Sequence, residues 1–213
     1  RADFIACHNQ SYLDKYDIVN ELKEGGTFLL NCSWPLEELE QHLPGKVKRQ
    51  LAEKHAKFYV IDASTIAQEI GLGGRTNTVL QAAFFSLANI IPTEEAVQYM
   101  KDAIHKSYFA KGEKVLQMND EAVDRGIGGV HQVEVPAGWA ACRDEPVSAP
   151  ADLPDFVRNV MLPMNSLKGD SLPVSRFVGM EDGTLPFGTS KYEKRGVAAA
   201  VPHWDASKCI PWN

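Results

Sequence analysis

What limits the fold most is the way the first third of the chain alternates short apolar runs with helical periods. DFIAC (3–7) is an apolar run closed by the polar HNQS (8–11). YLDKYDIVNELKE (12–24) places Leu13, Tyr16, Ile18, Val19 and Leu22 at helical spacing and meets Gly25-Gly26, which predicts a helix that stops there. TFLLNC (27–32) is continuously apolar, as expected of a strand covered on both faces. PLEELEQHL (35–43) predicts a helix with Pro35 in its first turn, ending at Pro44-Gly45. KVKRQLAEKHA (46–56) predicts a charged helix that leads into the strand KFYVIDA (57–63). STIAQEI (64–70) predicts a short helix capped by Ser64. This order is that of a parallel sheet with right-handed crossovers. The expected fold class is α/β: a doubly wound, mostly parallel sheet flanked by helices, with a C-terminal irregular extension. Ligands in such sheets bind beyond the carboxyl ends of the strands. HNQS (8–11) and SWPL (33–36) therefore fall on the expected functional edge.

From Thr76 to about Gly126 the pattern is helical throughout: TNTVLQAAFFSLANII up to Pro92, TEEAVQYMKDAIHKSYFAK with Thr93 and two glutamates at its start, and EKVLQMNDEAVDRG after Gly112. Residues 127–154 are rich in Gly, Ala and Pro and lack a sustained period, which reads as a linker or wrapping segment. Residues 155–213 hold one predicted helix, DFVRNVMLPMNSL (155–167), then turns and KRGVAAAVPHW (194–204). That tail is too small for a core of its own and is expected to pack on a neighbour.

Composition narrows the functional classes. A formal net charge of −6 leaves no basic excess to neutralise phosphates, so a general nucleic-acid binder is excluded. The chain shows neither an apolar stretch of membrane-spanning length nor a secretory signal pattern, which makes the cytoplasm the expected location and a membrane partner unexpected. Cys7, Cys32, Cys142 and Cys209 show no paired spacing and read as reduced thiols. The chain has no initiator Met and enters a strand almost at once, so it is expected to be a piece of something longer.

The clearest candidate site is GLGGRTN (71–77). Gly71, Gly73 and Gly74 can take positive φ and admit a ligand close to the backbone. The helix opening near Thr76 or Asn77 offers free N–H groups to an anion, and Arg75 beside them suits bidentate contact with phosphate or carboxylate. The alternative is structural: Gly71 as the left-handed stop of one helix and Asn77 as the cap of the next. The spacing is not the dinucleotide fingerprint. His8 and Asn9, at the end of the first strand, are further candidates, although no nucleophile or carboxylate nearby completes a catalytic set. The other histidines lack metal-ligand spacing, and no catalytic residue or metal site is expected.

Taken with GTSKYEKRGVAAAVPHWDASKC (188–209), the glycine-arginine segment gives the sequence a family resemblance. In order, ADFIACHNQSYLDKYDI, GGTFLLNCSW, KFYVIDA, GLGGRTNTVLQAAFF, AIHKSY, KGEKVLQMN and GTSKYEKRG resemble the middle of pyruvate:ferredoxin (flavodoxin) oxidoreductases. Residues 1–126 resemble most of the family's gamma domain. Residues 155–213 resemble the small segment named for its Glu-Lys-Arg motif, here Glu193-Lys194-Arg195, leading toward a ferredoxin-like domain.

The resemblance implies a parent enzyme that converts pyruvate and coenzyme A to acetyl-CoA and carbon dioxide, reducing ferredoxin or flavodoxin. It implies thiamine diphosphate, magnesium and [4Fe-4S] clusters in other domains, the other domains of the same enzyme as partners, and a homodimeric parent. It links the gamma domain to coenzyme A, with Gly73, Gly74, Arg75, Asn77, His8 and Asn9 as the ligand-facing candidates. The family's gamma domain begins earlier, with a strand and a Gly-rich turn. After VPxW the family carries C-x-x-C-x-x-C, whereas here Cys209 is followed by Ile210, Pro211, Trp212 and Asn213. No cluster is expected in these residues.

Overall fold

The computed structural model describes residues 1–144, 152–193, 202–205 and 207–208. Four strands form one sheet: β1 (Ala2–Cys7), β2 (Leu22–Asn31), β3 (Lys57–Ile61) and β4 (His131–Val133), in the order β1-β2-β3-β4. The first three run parallel and β4 is antiparallel to β3.

Side chains alternate across the pleat, so each strand feeds two cores. Phe28, Leu30, Phe58 and Val60 face a cluster built with Leu13 of α1 (Tyr12–Lys15), Leu39 of α2 (Leu39–His42), and Val47 and Leu51 of α3 (Gly45–Glu53). Leu29 and Ile61 face the opposite cluster, with Ile66 and Ala67 of α4 (Ala63–Glu69), Val79, Leu80 and Ala83 of α5 (Asn77–Ala88), and Ala122 of α7 (Glu113–Gly128). A third cluster packs α6 (Thr93–Tyr108) through Met100 and Ile104 against Ala82 of α5 and Val123 of α7. Helices thus cover both faces, which explains why β2 and β3 read as unbroken apolar runs. The two connections β1–β2 and β2–β3 step in one direction along the sheet and share one face, as crossovers of a single hand require.

Four local expectations fail. The helix expected over 12–24 is one turn, α1, followed by a 3₁₀ turn at Val19–Glu21, and β2 already begins at Leu22. Val19 and Leu22 are buried, and Lys54 Nζ donates to the carbonyls of Asn20 (3.0 Å) and Leu22 (2.6 Å), so tertiary anchoring overrides the helical period. Gly25-Gly26 is then a bulge within β2, not a helix stop. Ala2 pairs with Leu22 but Phe4 with Thr27, Gly25 has φ +69°, and its N–H donates to the Lys54 carbonyl at 2.7 Å. The cap of α4 is Asp62, two residues before the expected Ser64. Finally, β4 and a 3₁₀ turn at Ala137–Ala141 lie within the stretch expected to be linker.

By compactness the chain forms two units, Arg1–Ala149 with Asn165–Leu167, and Pro150–Met164 with Lys168–Asn213. In the second, the expected helix is present as a π-helical turn at Val157–Met161 running into α8 (Leu162–Asn165). Single 3₁₀ turns follow at Gly169–Ser171, Val174–Phe177 and Thr189–Tyr192. Lys194, Arg195, Cys209 and Trp212 lie outside the described residues. No helix among the described residues is long and apolar enough to cross a membrane.

Candidate functional site

The carboxyl ends of β1, β2 and β3 are tied together by one buried polar side chain. Asn31, the last residue of β2, donates through Nδ2 to the His8 carbonyl at 3.0 Å and accepts the Ala63 amide on Oδ1 at 2.9 Å. A buried amide satisfied on both sides fixes the loop after β1 to the start of α4. In that loop Asn9 Oδ1 accepts the Ser11 amide at 3.0 Å, and Gln10 Oε1 accepts the Ser33 amide at 3.1 Å. His8 and Asn9 are exposed. Beneath them Cys7 and Cys32 are buried. Burial pushes the Cys7 thiol up to about 11 and raises that of Cys32, so both are held as neutral thiols.

Beyond β2 and β3 lies a cavity of ≈ 730 Å³ whose wall includes Ser33, Trp34, Pro35 and Leu36, the second loop expected on the functional edge. Trp34 stacks on His42 with ring centroids 5.0 Å apart. The charges of this cavity are already engaged. Asp62 caps α4, accepting the Thr65 amide at 2.9 Å and its hydroxyl at 2.7 Å. Arg125 pairs with Glu69, and Asp124 with Lys101 at 2.7 Å.

The glycine-arginine turn lies at the other end of α4. Gly71 (φ +84°) closes the helix: its amide bonds to the Gln68 carbonyl at 3.0 Å and that of Leu72 to the Ala67 carbonyl at 2.8 Å. These two bonds are the Schellman pattern and fully account for Gly71. Gly73 (φ +62°) and Gly74 are the centre of the next turn, closed by the Arg75 amide on the Leu72 carbonyl at 3.3 Å. An added Cβ at either would meet nothing within 4 Å, so the backbone is open on its outer side. Arg75 is exposed, and its guanidinium has no partner among the described residues. Thr76, not Asn77, is the N-cap of α5, and its side chain makes no capping bond, which leaves the first-turn amides available.

The six candidate residues therefore form two groups, not one. His8 and Asn9 stand by the start of α4, whereas Gly73, Gly74, Arg75 and Asn77 stand beyond its end, and the seven-residue helix between the two ends is roughly 10 Å long. None of the six lines the cavity. Sequence reasoning missed Asn31, although an asparagine inside FLLNC is the kind of polar residue in an apolar run that signals a satisfied buried group.

An open, mostly parallel sheet covered by helices on both faces defines an α/β domain. Residues 1–128 match the family described as pyruvate ferredoxin/flavodoxin oxidoreductase, and the chain belongs to that family. Residues 143–198 match a second one, EKR, described as a domain of unknown function. Pyruvate-flavodoxin oxidoreductase of Klebsiella pneumoniae is 53% identical over 213 residues, covering 100% of this chain and 18% of the relative. Pyruvate:ferredoxin oxidoreductase of Moorella thermoacetica is 49% identical with the same coverage. The chain thus spans about a fifth of these relatives' length (18% of each). Among solved structures, pyruvate oxidoreductase subunit PORC of Thermotoga maritima superposes with a TM-score of 0.50 at 24% identity, over 63% of this chain and 66% of that one, a likeness of fold.

Proposed function

We propose that the chain is one part of a pyruvate:ferredoxin or pyruvate:flavodoxin oxidoreductase, and that within it the turn at Gly73, Gly74 and Arg75 contacts coenzyme A. The parent reaction joins pyruvate, coenzyme A and an oxidised acceptor to give acetyl-CoA, carbon dioxide and the reduced acceptor. Ferredoxin or flavodoxin is the acceptor, thiamine diphosphate, magnesium and iron–sulfur clusters belong to the remainder of the enzyme, and the parent is a homodimer. This part contributes binding and packing against the other domains, and no bond-breaking residue.

One observation carries the reading: an exposed guanidinium without a partner among the described residues, beside an open positive-φ glycine and the uncapped first turn of a twelve-residue helix. Coenzyme A is a polyanion, and its phosphates suit a planar cation together with backbone N–H groups at a helix start. Gly73 and Gly74 let an oxyanion approach the backbone where any side chain would stand in its way. His8 and Asn9, by the other end of α4, are the further contacts of this reading.

Calorimetric titration of coenzyme A into the protein, with NAD as the control, tests the reading. Saturable binding of coenzyme A and none of NAD is expected. Absence of coenzyme A binding to a folded sample would favour a purely architectural role, with the glycine turn acting only as a helix boundary.

A further inference from the structure

The two helices joined by the glycine-arginine turn rest on one platform, α7. Met118, Ala122 and Arg125 of α7, with Gly129 just past its end, follow the spacing of a single helix face. Their partners run backward along α4 and its closing turn. A β-carbon at Gly71 would lie 3.2 Å from Met118 Cε, and one at Gly129 would lie 2.7 Å from Ile66 Cδ1. Ala122 lies in one core cluster with Ile70 and Leu72. Between those ends, Arg125 Nη2 donates to Oε2 of Glu69, the last residue of α4. The next residue of α7 meets the other helix: a β-carbon at Gly126 would lie 2.5 Å from the Val79 carbonyl of α5.

Placement of the turn therefore depends on how each helix is registered on α7. On the α5 side the register is set by close backbone contact at Gly126, which leaves no room to slide. On the α4 side the contact next to the glycines is Met118, an unbranched side chain that adapts to its neighbours and fixes a register loosely. The Arg125–Glu69 pair supplies a directional contact there, from a planar guanidinium to a carboxylate. Its side chains are 37% and 53% exposed, so its contribution to global stability is small. What it sets is the position of the end of α4, from which the chain enters Gly71 and the turn.

We propose that Arg125, acting through Glu69, is a positioning residue for the turn at Gly73, Gly74 and Arg75. The pair fixes where α4 ends on α7, and so where the turn presents its open backbone and the Arg75 guanidinium to a phosphate. A contact made by a group already in place loses less conformational entropy on binding, which is how the pair would strengthen an anion contact it does not itself make. The inference rests on the reading of that turn as a coenzyme A contact.

The test uses the full-length polypeptide with Glu69→Gln, Arg125→Met and both together. Methionine keeps the apolar stem of the arginine, and glutamine the shape of the glutamate. Hydrogen exchange of the amides of residues 71–77 is read alongside the KM for coenzyme A and kcat. Each single variant is expected to exchange faster in that stretch and to raise KM roughly two- to fivefold with kcat retained. The double variant is expected to be no worse than either single one, because the pair acts as a unit. Unchanged exchange in a folded variant, additive effects in the double variant, or a KM raised by one substitution and lowered by the other would each overturn the inference. The last of these would mean that the Glu69 charge acts on the ligand directly. Faster, non-additive exchange with coenzyme A affinity unchanged would uphold the placement of the turn by this pair and overturn coenzyme A contact there, so the two readings fail separately.

Discussion

The Asn31 side-chain amide donates to the main-chain carbonyl of His8 across 3.0 Å, and this contact holds the loop after β1 against the sheet. The same side chain accepts the Ala63 amide at 2.9 Å, so one residue positions both the loop after β1 and the start of α4. Asn31→Ala is expected to cost about 1–3 kcal/mol by leaving buried polar groups unpaired. Urea denaturation of the two proteins checks the magnitude, and faster hydrogen exchange at Ala63 in the variant checks the cause.

Close backbone contact between helices makes a second, sharper expectation. A β-carbon at Gly126 of α7 would lie 2.5 Å from the Val79 carbonyl of α5, whereas one at Gly128 meets nothing within 4 Å. Gly126→Ala is expected to destabilise by about 1–3 kcal/mol through overpacking. Gly128→Ala is expected to be neutral or stabilising by up to about 1 kcal/mol, since alanine favours helix. Thermal denaturation of the pair reads this directly; equal melting temperatures would show that α5 and α7 are not packed this closely.

The segment after β4 is fastened to α2 and α3. Arg49 donates to the Cys142 carbonyl at 2.8 Å, Trp139 is buried and donates to Glu40 at 2.9 Å, and a β-carbon at Gly45 would lie 2.2 Å from the Arg143 carbonyl. Gly45→Ala is expected to displace residues 139–144, seen as a red shift and increased quenching of Trp139 fluorescence with the other tryptophans replaced.

Much of this architecture was legible in the residues because both faces of the sheet are covered. FLL and FYVI could be nothing but strands buried on two sides, and α5, α6 and α7 carry sustained periods between clear boundaries. The failures share a cause. Residues 12–24 have a helical period, but Val19 and Leu22 are held by contacts distant in sequence, and local pattern cannot register them. HQV (131–133) is too short to show any period, so β4 is visible only through its pairing with β3. At the site, glycines and the arginine were legible as a turn, yet the division of the six candidates into two groups depends on the tie of the His8 carbonyl, through Asn31, to the start of α4 rather than to its end.

Thiol chemistry gives a pH-dependent expectation. Burial lifts the Cys7 thiol from its ordinary value of 9.0 to about 11. Because the folded value is the higher one, this contribution to stability is fully present below pH 9 and is lost as pH rises through about 11. Alkylation with iodoacetamide at pH 8, followed by peptide mass spectrometry, is expected to modify the half-buried Cys142 well before Cys7 or Cys32.

The central claim is that the turn between α4 and α5 contacts coenzyme A, and the Arg75→Ala variant of the full-length polypeptide tests it most directly. Loss of a charge-assisted contact of about 1.5–3 kcal/mol predicts roughly ten- to hundredfold weaker coenzyme A binding by calorimetry, with pyruvate decarboxylation largely retained. Unchanged coenzyme A affinity in a folded Arg75→Ala protein would contradict the claim and leave the turn as the boundary between two helices.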